Sequence, residues 1–374
     1  MCSEFPYEFI IQGINMSKVV QIGDVKIGGG NPIAIQSMTN CDSHDEKALL
    51  NQISALKESG CDIVRIAIPD IEASETLKVV KNKLIKSGNH IPLVADIHFD
   101  YKLAISAMKN GADKVRINPG NIGSIENVRK VVECAKERNI PIRVGVNSGS
   151  LEKKLIEKYK GVTFMGLADS AINNLKIIED LGYDNLVVSI KSTDVKENFE
   201  AHKLLKERTE HPIHIGITES GTINRGKVKS AVGIGALLLN GIGDTMRVSL
   251  TADPVEEVIF AKEILRSLNM RDSSVLLVSC PTCGRTKIDL QALATEVERR
   301  IEPIEKKLLL MNKPSIKVAV MGCAVNGPGE AREADFGVAG GKGEGLLFRK
   351  GEILKKVKED RIVDELIKLI EENI

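Results

Sequence analysis

Eight short apolar runs, each followed by a longer amphipathic stretch, constrain this chain's fold more than any other feature. The runs lie at 33–35, 63–68, 91–95, 114–117, 142–146, 186–190, 213–217 and 243–248. The stretches at 45–59, 71–87, 100–110, 123–139, 164–182, 194–209, 227–240 and 253–268 are each long enough for a helix. Short β-branched runs alternating with helical periodicity imply βαβ units and a parallel sheet buried on both faces. Eight such units in about 240 residues match a (β/α)8 TIM barrel. A doubly wound open sheet is the alternative, but it usually has fewer strands and a Gly-rich first turn. Residues 1–30 contribute an N-terminal hairpin with arms at 19–23 and 25–28, so the barrel domain is expected to span 1–268.

A barrel of this kind keeps its chemistry at the C-terminal ends of its strands, and polar residues gather there. The first run ends in Gln36, Met38 and Asn40, and the second carries Arg65. The third ends Asp96-Ile97-His98, the fourth reads Arg116-Ile117-Asn118-Pro119-Gly120-Asn121, and the fifth Arg143-Val144-Gly145-Val146-Asn147. The sixth leads into Lys191, the seventh into Thr218-Glu219-Ser220-Gly221, and the eighth runs from Asp244 through Arg247 to Ser249. Arg65, Arg116, Arg143, Lys191 and Arg247 thus point to one mouth of a protein whose net charge is only +1. Five cations with Gly-rich loops beside them suit a phosphorylated ligand. The competing expectation is structural pairing with Asp96, Glu219 and Asp244. Buried pairs are costly to assemble without a purpose, which favours the anion site.

Residues 269–274 form a polar link, and 275–374 read as a small α+β domain. The expected order there is strand 275–279, helix 289–303, strands 316–320, 334–339 and 345–349, then a helix over 353–372. Cys280-Pro281-Thr282-Cys283 follows the first strand, and Cys323 opens a Gly/Pro-rich turn that ends at Glu330. Thiolates in such turns suit zinc or an iron–sulfur cluster. Three cysteines where a closed site uses about four ligands leave one position for a weaker donor, and Glu330 is the nearest candidate.

Composition narrows the function classes. Near-zero net charge, no Trp and 3% aromatics disfavour a nucleic-acid platform. No apolar run is long enough to span a bilayer, and the N-terminal residues do not read as a signal peptide. Seven scattered cysteines fit a reducing cytoplasm better than a disulfide scaffold. His44, His90, His202 and His211 read as solvent or capping groups at element ends or exposed faces. Cys61 and Cys134 read as neutral packing thiols, and Cys41 as a loop residue at the mouth.

Several stretches carry a family resemblance: Ile35 to Asn40, Val115 to Asn121, Gly145 to Ser150, Cys280 to Arg285 and Met321 to Ala331. In them, and over nearly its whole length, the chain closely resembles the bacterial two-domain 4-hydroxy-3-methylbut-2-enyl diphosphate synthases of methylerythritol phosphate isoprenoid biosynthesis. The resemblance implies an iron–sulfur oxidoreductase that reductively opens 2-C-methyl-D-erythritol 2,4-cyclodiphosphate. It implies a [4Fe–4S] cluster on Cys280, Cys283 and Cys323 with Glu330 on the fourth iron. It matches Arg65, Arg116, Arg143, Lys191, Arg247, Asn118, Asn147 and Ser249 to diphosphate contacts. Asp96, His98 and Glu219 match groups around the carbon skeleton, with Glu219 expected to deliver a proton. Ferredoxin or flavodoxin is the expected electron donor, and a head-to-tail homodimer the expected assembly. Cys41 departs from the Thr usual at that place. A zinc-dependent barrel hydrolase of a phosphorylated substrate is the alternative, since it would share the cations and the thiolates.

Overall fold

The computed structural model of the protein describes residues 16–271, 275–311, 313–323 and 331–374. Two compact units divide between Arg271 and Asp272.

In the first unit, β1 (Val20–Ile22) and β2 (Val25–Ile27) form an antiparallel hairpin around Gly23-Asp24. Gly23 takes φ +53°, the left-handed backbone that the first position of such a two-residue turn requires. Eight parallel strands follow: β3 (Ala34–Met38), β4 (Ile63–Ala67), β5 (Leu93–Asp96), β6 (Lys114–Ile117), β7 (Ile142–Asn147), β8 (Leu186–Lys191), β9 (His214–Ile215) and β10 (Thr245–Met246). Their order is β8-β7-β6-β5-β4-β3-β10-β9. A single parallel bridge between Val188 and Ile213 joins the two ends, with the Val188 N–H donating to the Pro212 carbonyl at 3.0 Å. The chain is a (β/α)8 TIM barrel followed by a smaller unit with its own sheet.

Helices cover the outside: α1 (Glu46–Glu58), α2 (Ile71–Lys86), α3 (Tyr101–Lys109), α4 (Ile125–Arg138), α5 (Lys153–Tyr159), α6 (Phe164–Glu179), α7 (Val195–Lys206), α8 (Ile223–Leu239) and α9 (Pro254–Ser267). Asp45, Asp70, Asp100, Asp194 and Asp253 each cap the helix that follows by accepting a backbone N–H of its first turn. A side-chain acceptor there satisfies a donor that has no partner within the helix. Outward strand residues such as Ile35, Val64, Val115 and Val144 join Leu49, Leu77, Val131 and Leu175 of the helices in one core. The inward side is different. Its lower end is apolar, where Ala34, Ile63, Val94 and Val187 meet Ile22 and Ile27 of the hairpin. Above that plug the barrel interior is polar.

Three features differ from the sequence expectations. Runs 213–217 and 243–248 narrow to two-residue strands, and just beyond them Gly216 lies against the backbone of Arg247, where an added Cβ would stand 2.6 Å from its carbonyl oxygen. Residues 148–163, which carried no helical expectation, hold a short 3-10 turn and α5. His202 and His211 are buried rather than solvent or capping groups; His202 Nδ1 sits 2.8 Å from the Asn198 carbonyl oxygen and His211 Nε2 2.9 Å from Glu179.

The second unit is a five-stranded sheet in the order β11 (Val275–Ser279), β12 (Ile316–Met321), β13 (Phe336–Gly340), β14 (Glu344–Arg349) and β15 (Glu352–Lys358). The first three strands are parallel, and the last two pairings antiparallel. Helix α10 (Leu290–Leu310) runs through Pro303, beyond the expected end at that residue. The buried stripe Val297, Ile301, Ile304 and Leu308 keeps it on the sheet with α11 (Ile362–Glu371). The expected helix over 353–372 is corrected: 352–358 is an edge strand, and only 362–371 is α-helical. Lys350 and Gly351, at φ +48° and +81°, form a two-residue turn that folds β15 back on β14. Two consecutive left-handed residues mark a hairpin, and this tight return outweighs the helical spacing of Ile353 and Val357.

Candidate active site

The upper half of the barrel interior is a layered set of charges. Arg65 projects from β4, Arg116 from β6 and Arg143 from β7, each no more than 3% exposed. Arg116 and Arg143 stand directly opposite one another in the β6–β7 register. Like charges in such a pair repel, so the strands hold them together against their own electrostatics. Inward-facing Gly145 makes the room: a Cβ there would meet Arg116 Nε at 2.5 Å.

Asp96, the last residue of β5, is the carboxylate that partners this layer. It lies 3.7 Å from Arg65 Nε, 3.4 Å from Arg116 Nη1 and 3.6 Å from His98 Nε2. Burial works to raise the Asp96 pKa, but Arg65, the bond to His98 and Arg116 outweigh it and hold the carboxyl well below its ordinary range. Arg116 also donates to Asn147 Oδ1 at 3.4 Å. Lys191 closes β8, and its amine is pushed down to about 6 by burial and by Arg65, Arg116 and Arg143.

Arg247 is held by a residue the sequence reading missed. Its Nε and Nη2 donate to the two oxygens of Glu257 on α9 at 3.0 and 3.1 Å. Glu257, 3% exposed, also accepts from the Ser37 hydroxyl and the Leu250 N–H. Its only sequence signal was an acid ten residues after an arginine, which is not distinctive. Met38 Sδ accepts from Arg65 at 3.0 and 3.1 Å. Lys114 and His214 were also missed. Both face inward beneath the arginines, and both are buried.

Asp244 does not join this group. It accepts from the Ser17 hydroxyl and from the Ile213 N–H, where β9 begins, so it belongs to the opposite end of the barrel and pairs with no mouth cation. Glu219 forms no described ion pair. It is exposed on the loop after β9 at φ +50°, a left-handed conformation costly for a residue with a side chain and often retained at functional loops. His98 is half-exposed and Asn118 is buried with its Oδ1 accepting from Gly120 N–H; Ser249 lines a small pocket with Arg65, Lys191 and Arg247. A second brace reaches the Asn118 loop, where Asn174 accepts from Gly120 N–H and itself donates to Glu152. Cys41 is half-buried, and burial raises its thiol pKa.

In the second unit, adjacent parallel strands bring the cysteines to one sheet end. Cys280 follows β11, Gly322-Cys323 follows β12, and the register pairs Ser279 with Val320. The Gly322 N–H donates to Cys280 Sγ at 3.2 Å. Cys283 is exposed, and hydrogen bonds from the backbone and side chain of Arg285 lower its thiol pKa. The Arg285 contacts favour the thiolate of Cys283, the form that binds metal. Glu330 lies outside the described residues. Among the described residues, no three His, Cys, Asp or Glu side chains gather tightly enough to hold a single ion. No helix among them is long and apolar enough to cross a membrane.

Comparison with known proteins agrees with this architecture. Residues 17–262 match the GcpE TIM-barrel domain, and residues 276–372 the GcpE protein C-terminal domain. A Caldanaerobacter subterraneus subsp. tengcongensis protein named 4-hydroxy-3-methylbut-2-en-1-yl diphosphate synthase (flavodoxin) is 54% identical, over 96% of this chain and 98% of its own. A Clostridium acetobutylicum protein of the same name is 54% identical over 95% and 98%. Among solved structures, the type I 3-dehydroquinate dehydratase of Clostridium difficile superposes with a TM-score of 0.50 at 14% identity. It spans 69% of this chain and all of that one, a likeness of barrel fold alone. Matched along both units and nearly end to end by its relatives, the chain belongs to the GcpE family.

Proposed function

We propose that this protein is an iron–sulfur oxidoreductase converting 2-C-methyl-D-erythritol 2,4-cyclodiphosphate to (E)-4-hydroxy-3-methylbut-2-enyl diphosphate. The reaction takes up two electrons and two protons, breaks one C–O bond of the cyclic diphosphate and releases one water. One observation carries the reading. A barrel of a GcpE-family chain holds the four guanidinium groups of Arg65, Arg116, Arg143 and Arg247, with Lys191 beside them, against the two carboxylates Asp96 and Glu257, an excess of positive charge that an anion would balance.

Arg65, Arg116, Arg143, Lys191 and Arg247, with Asn118, Asn147 and Ser249, hold the diphosphate. Asp96 and His98 orient the carbon skeleton, and Glu219 delivers a proton from the loop after β9. Rigid strands fix the arginines before the ligand binds, so little reorganisation remains for the reaction itself.

Cys280, Cys283 and Cys323 would hold a [4Fe–4S] cluster, with Glu330 as the fourth, more readily displaced ligand. Such a cluster supplies the electrons and a Lewis-acidic iron. The fit rests on the chemistry of the donor set: soft sulfur ligands from neighbouring strand ends, with N–H groups directed at two of them.

Flavodoxin, named in the relatives, is the proposed electron donor, with ferredoxin the alternative. We assign the barrel to residues 1–268, the link to 269–274 and the cluster unit to 275–374, in a reducing cytoplasm. A head-to-tail homodimer is part of the same reading, with each cluster unit completing a second copy's barrel. The chain path supports it. Arg271 pairs with Asp62 at 3.4 Å, and Asp62 also accepts from Ile35 N–H at the start of β3. The barrel therefore releases the chain at the end opposite its mouth.

The test is metal and sulfide analysis of anaerobically purified protein, with turnover under reduced flavodoxin. About four iron and four sulfide per chain are expected, with product formed. One zinc per chain, no iron after reconstitution and hydrolysis of a phosphorylated compound would establish the zinc hydrolase instead.

A further inference from the structure

Beneath the arginines lies a polar layer that the proposed ligand contacts do not use. Lys114 opens β6 on the inward face, is fully buried, and its Nζ has no hydrogen-bond partner among the described residues. No described carboxylate lies within ion-pair range of it. The charged neighbours acting on it are Arg143 of β7 and Arg65 of β4, and it acts in turn on His214 of β9. Gln36, inward on β3, has neither end of its amide bonded, and Arg143 has none of its three guanidinium nitrogens bonded. Asp96 is the nearby carboxylate, and it is already engaged by Arg65, Arg116 and His98.

Seven groups that can be cationic therefore share this interior with Asp96 and, at its rim, Glu257: Arg65, Lys114, Arg116, Arg143, Lys191, His214 and Arg247. Guanidinium groups do not give up their protons, so relief falls to the amines and the imidazole. Burial, then Arg143 and Arg65, push the Lys114 amine well below its ordinary range. Burial, followed by Arg143 and Lys114, also depresses His214, whose Nδ1 is 2.7 Å from Thr245 Oγ1.

We propose that anion binding at the barrel mouth is coupled to proton uptake at Lys114, so that the core recharges as the ligand arrives. The inference rests on the anion site proposed above. Negative charge at Arg65 and Arg143 offsets the field that, added to burial, disfavours an ammonium beneath them. The free-state proton affinity of Lys114 is low and the bound-state affinity higher, so uptake occurs between those two values. By reciprocity the anion binds more tightly as pH falls through that window. Each linked proton weakens binding by up to about tenfold per pH unit on the way up. Lys191, which touches the ligand in this reading, contributes a second proton.

The experiment is calorimetric binding of inorganic pyrophosphate to the full chain, in buffers of different ionisation enthalpy. Uptake beyond pyrophosphate's own titration is expected, falling by close to one proton in Lys114→Met while binding persists. In Lys191→Met, which retains Lys114, an excess must remain. Equal uptake in wild type and Lys114→Met would overturn the proposal, as would the absence of any excess in wild type or Lys191→Met. Failure of the wild type to bind pyrophosphate would instead bring down the anion site, and the coupling with it.

Discussion

The barrel mouth and the thiolate end of the second unit both assemble like charge, but they do so in opposite ways. Arg65, Arg116 and Arg143 are part of a strand interior with almost no exposure, locked by register and by Met38 and Asp96. Cys280, Cys283 and Cys323 lie on loops beyond strand ends, half-exposed or exposed. A site built into a core is shaped before its ligand comes, and strain between its members is held by the whole barrel. A site on loops is shaped by what it binds. The two should therefore respond differently when one member is removed.

The largest effect belongs to the thiolates. Cys280→Ser, Cys283→Ser or Cys323→Ser should abolish reductive turnover and lower iron below about four per chain, yet leave pyrophosphate affinity unchanged. Metal analysis beside calorimetry checks both halves; weakened pyrophosphate binding in these variants would break the separation between the sites. Mixing Cys323→Ser with Arg143→Met extends the test to assembly. In a head-to-tail dimer, about half of all dimers after exchange pair the two variants, and each of these carries one intact site of two, restoring up to about a quarter of wild-type activity. No recovery after subunit exchange would argue that each chain completes its own site.

Arg143→Met should weaken pyrophosphate binding by about 2–5 kcal/mol, the range for removing a buried charged partner. Stability should move the other way, unchanged or higher by up to about 1 kcal/mol, because Arg143 faces Arg116 across the strands and has no described hydrogen bond. Thermal unfolding without ligand measures this. A clear loss of stability would mean that Arg143 serves the fold rather than the ligand.

Glu257→Gln comes next. It exchanges the two-point bond to Arg247 for a single neutral acceptor and should cost about 1–3 kcal/mol of barrel stability. A raised KM with a nearly unchanged kcat is the expected kinetic signature, since Arg247 would be held in more than one position.

These residues also mark what the sequence could and could not reveal. The barrel was legible because eight alternations of period suit few other folds, and the strand ends carried Arg65, Arg116, Arg143, Lys191 and Arg247 in plain view. Lys114 stayed hidden because a lysine opening a strand ordinarily reads as a solvated end; only closure of the barrel turns it inward. Glu257 stayed hidden because helical acids are common and its partner depends on how α9 lies against β3. Asp244 was misplaced because its run was read as a whole: as the second residue of 243–248 it stands at the N-terminal end of the strand, away from the mouth that Arg247 and Ser249 reach. His202 was misplaced because the amphipathic face of α7 was read without knowing which side the barrel covers.

The edge strand β15 supplies the smallest and most local test, because one pair of turn residues decides between strand and helix there. Lys350 and Gly351 both carry left-handed backbone, which suits Gly, tolerates Asn and strains Lys. Gly351→Ala should destabilise the second unit by about 1 kcal/mol, and slightly more if Arg332 Cγ, 3.2 Å from the added Cβ, resists moving. Lys350→Asn should act in the opposite direction, by up to about 1 kcal/mol, since Asn-Gly is the preferred pair for this turn. In a unit of this size each kcal/mol shifts the midpoint by about 4–8 °C, so calorimetric scans resolve both changes while the barrel transition stays fixed. A helix through 353–358 would need no such turn, and opposite signs from two neighbouring substitutions would then have no cause. Opposite signs therefore establish the hairpin, and equal or absent effects would return residues 352–358 to the helix.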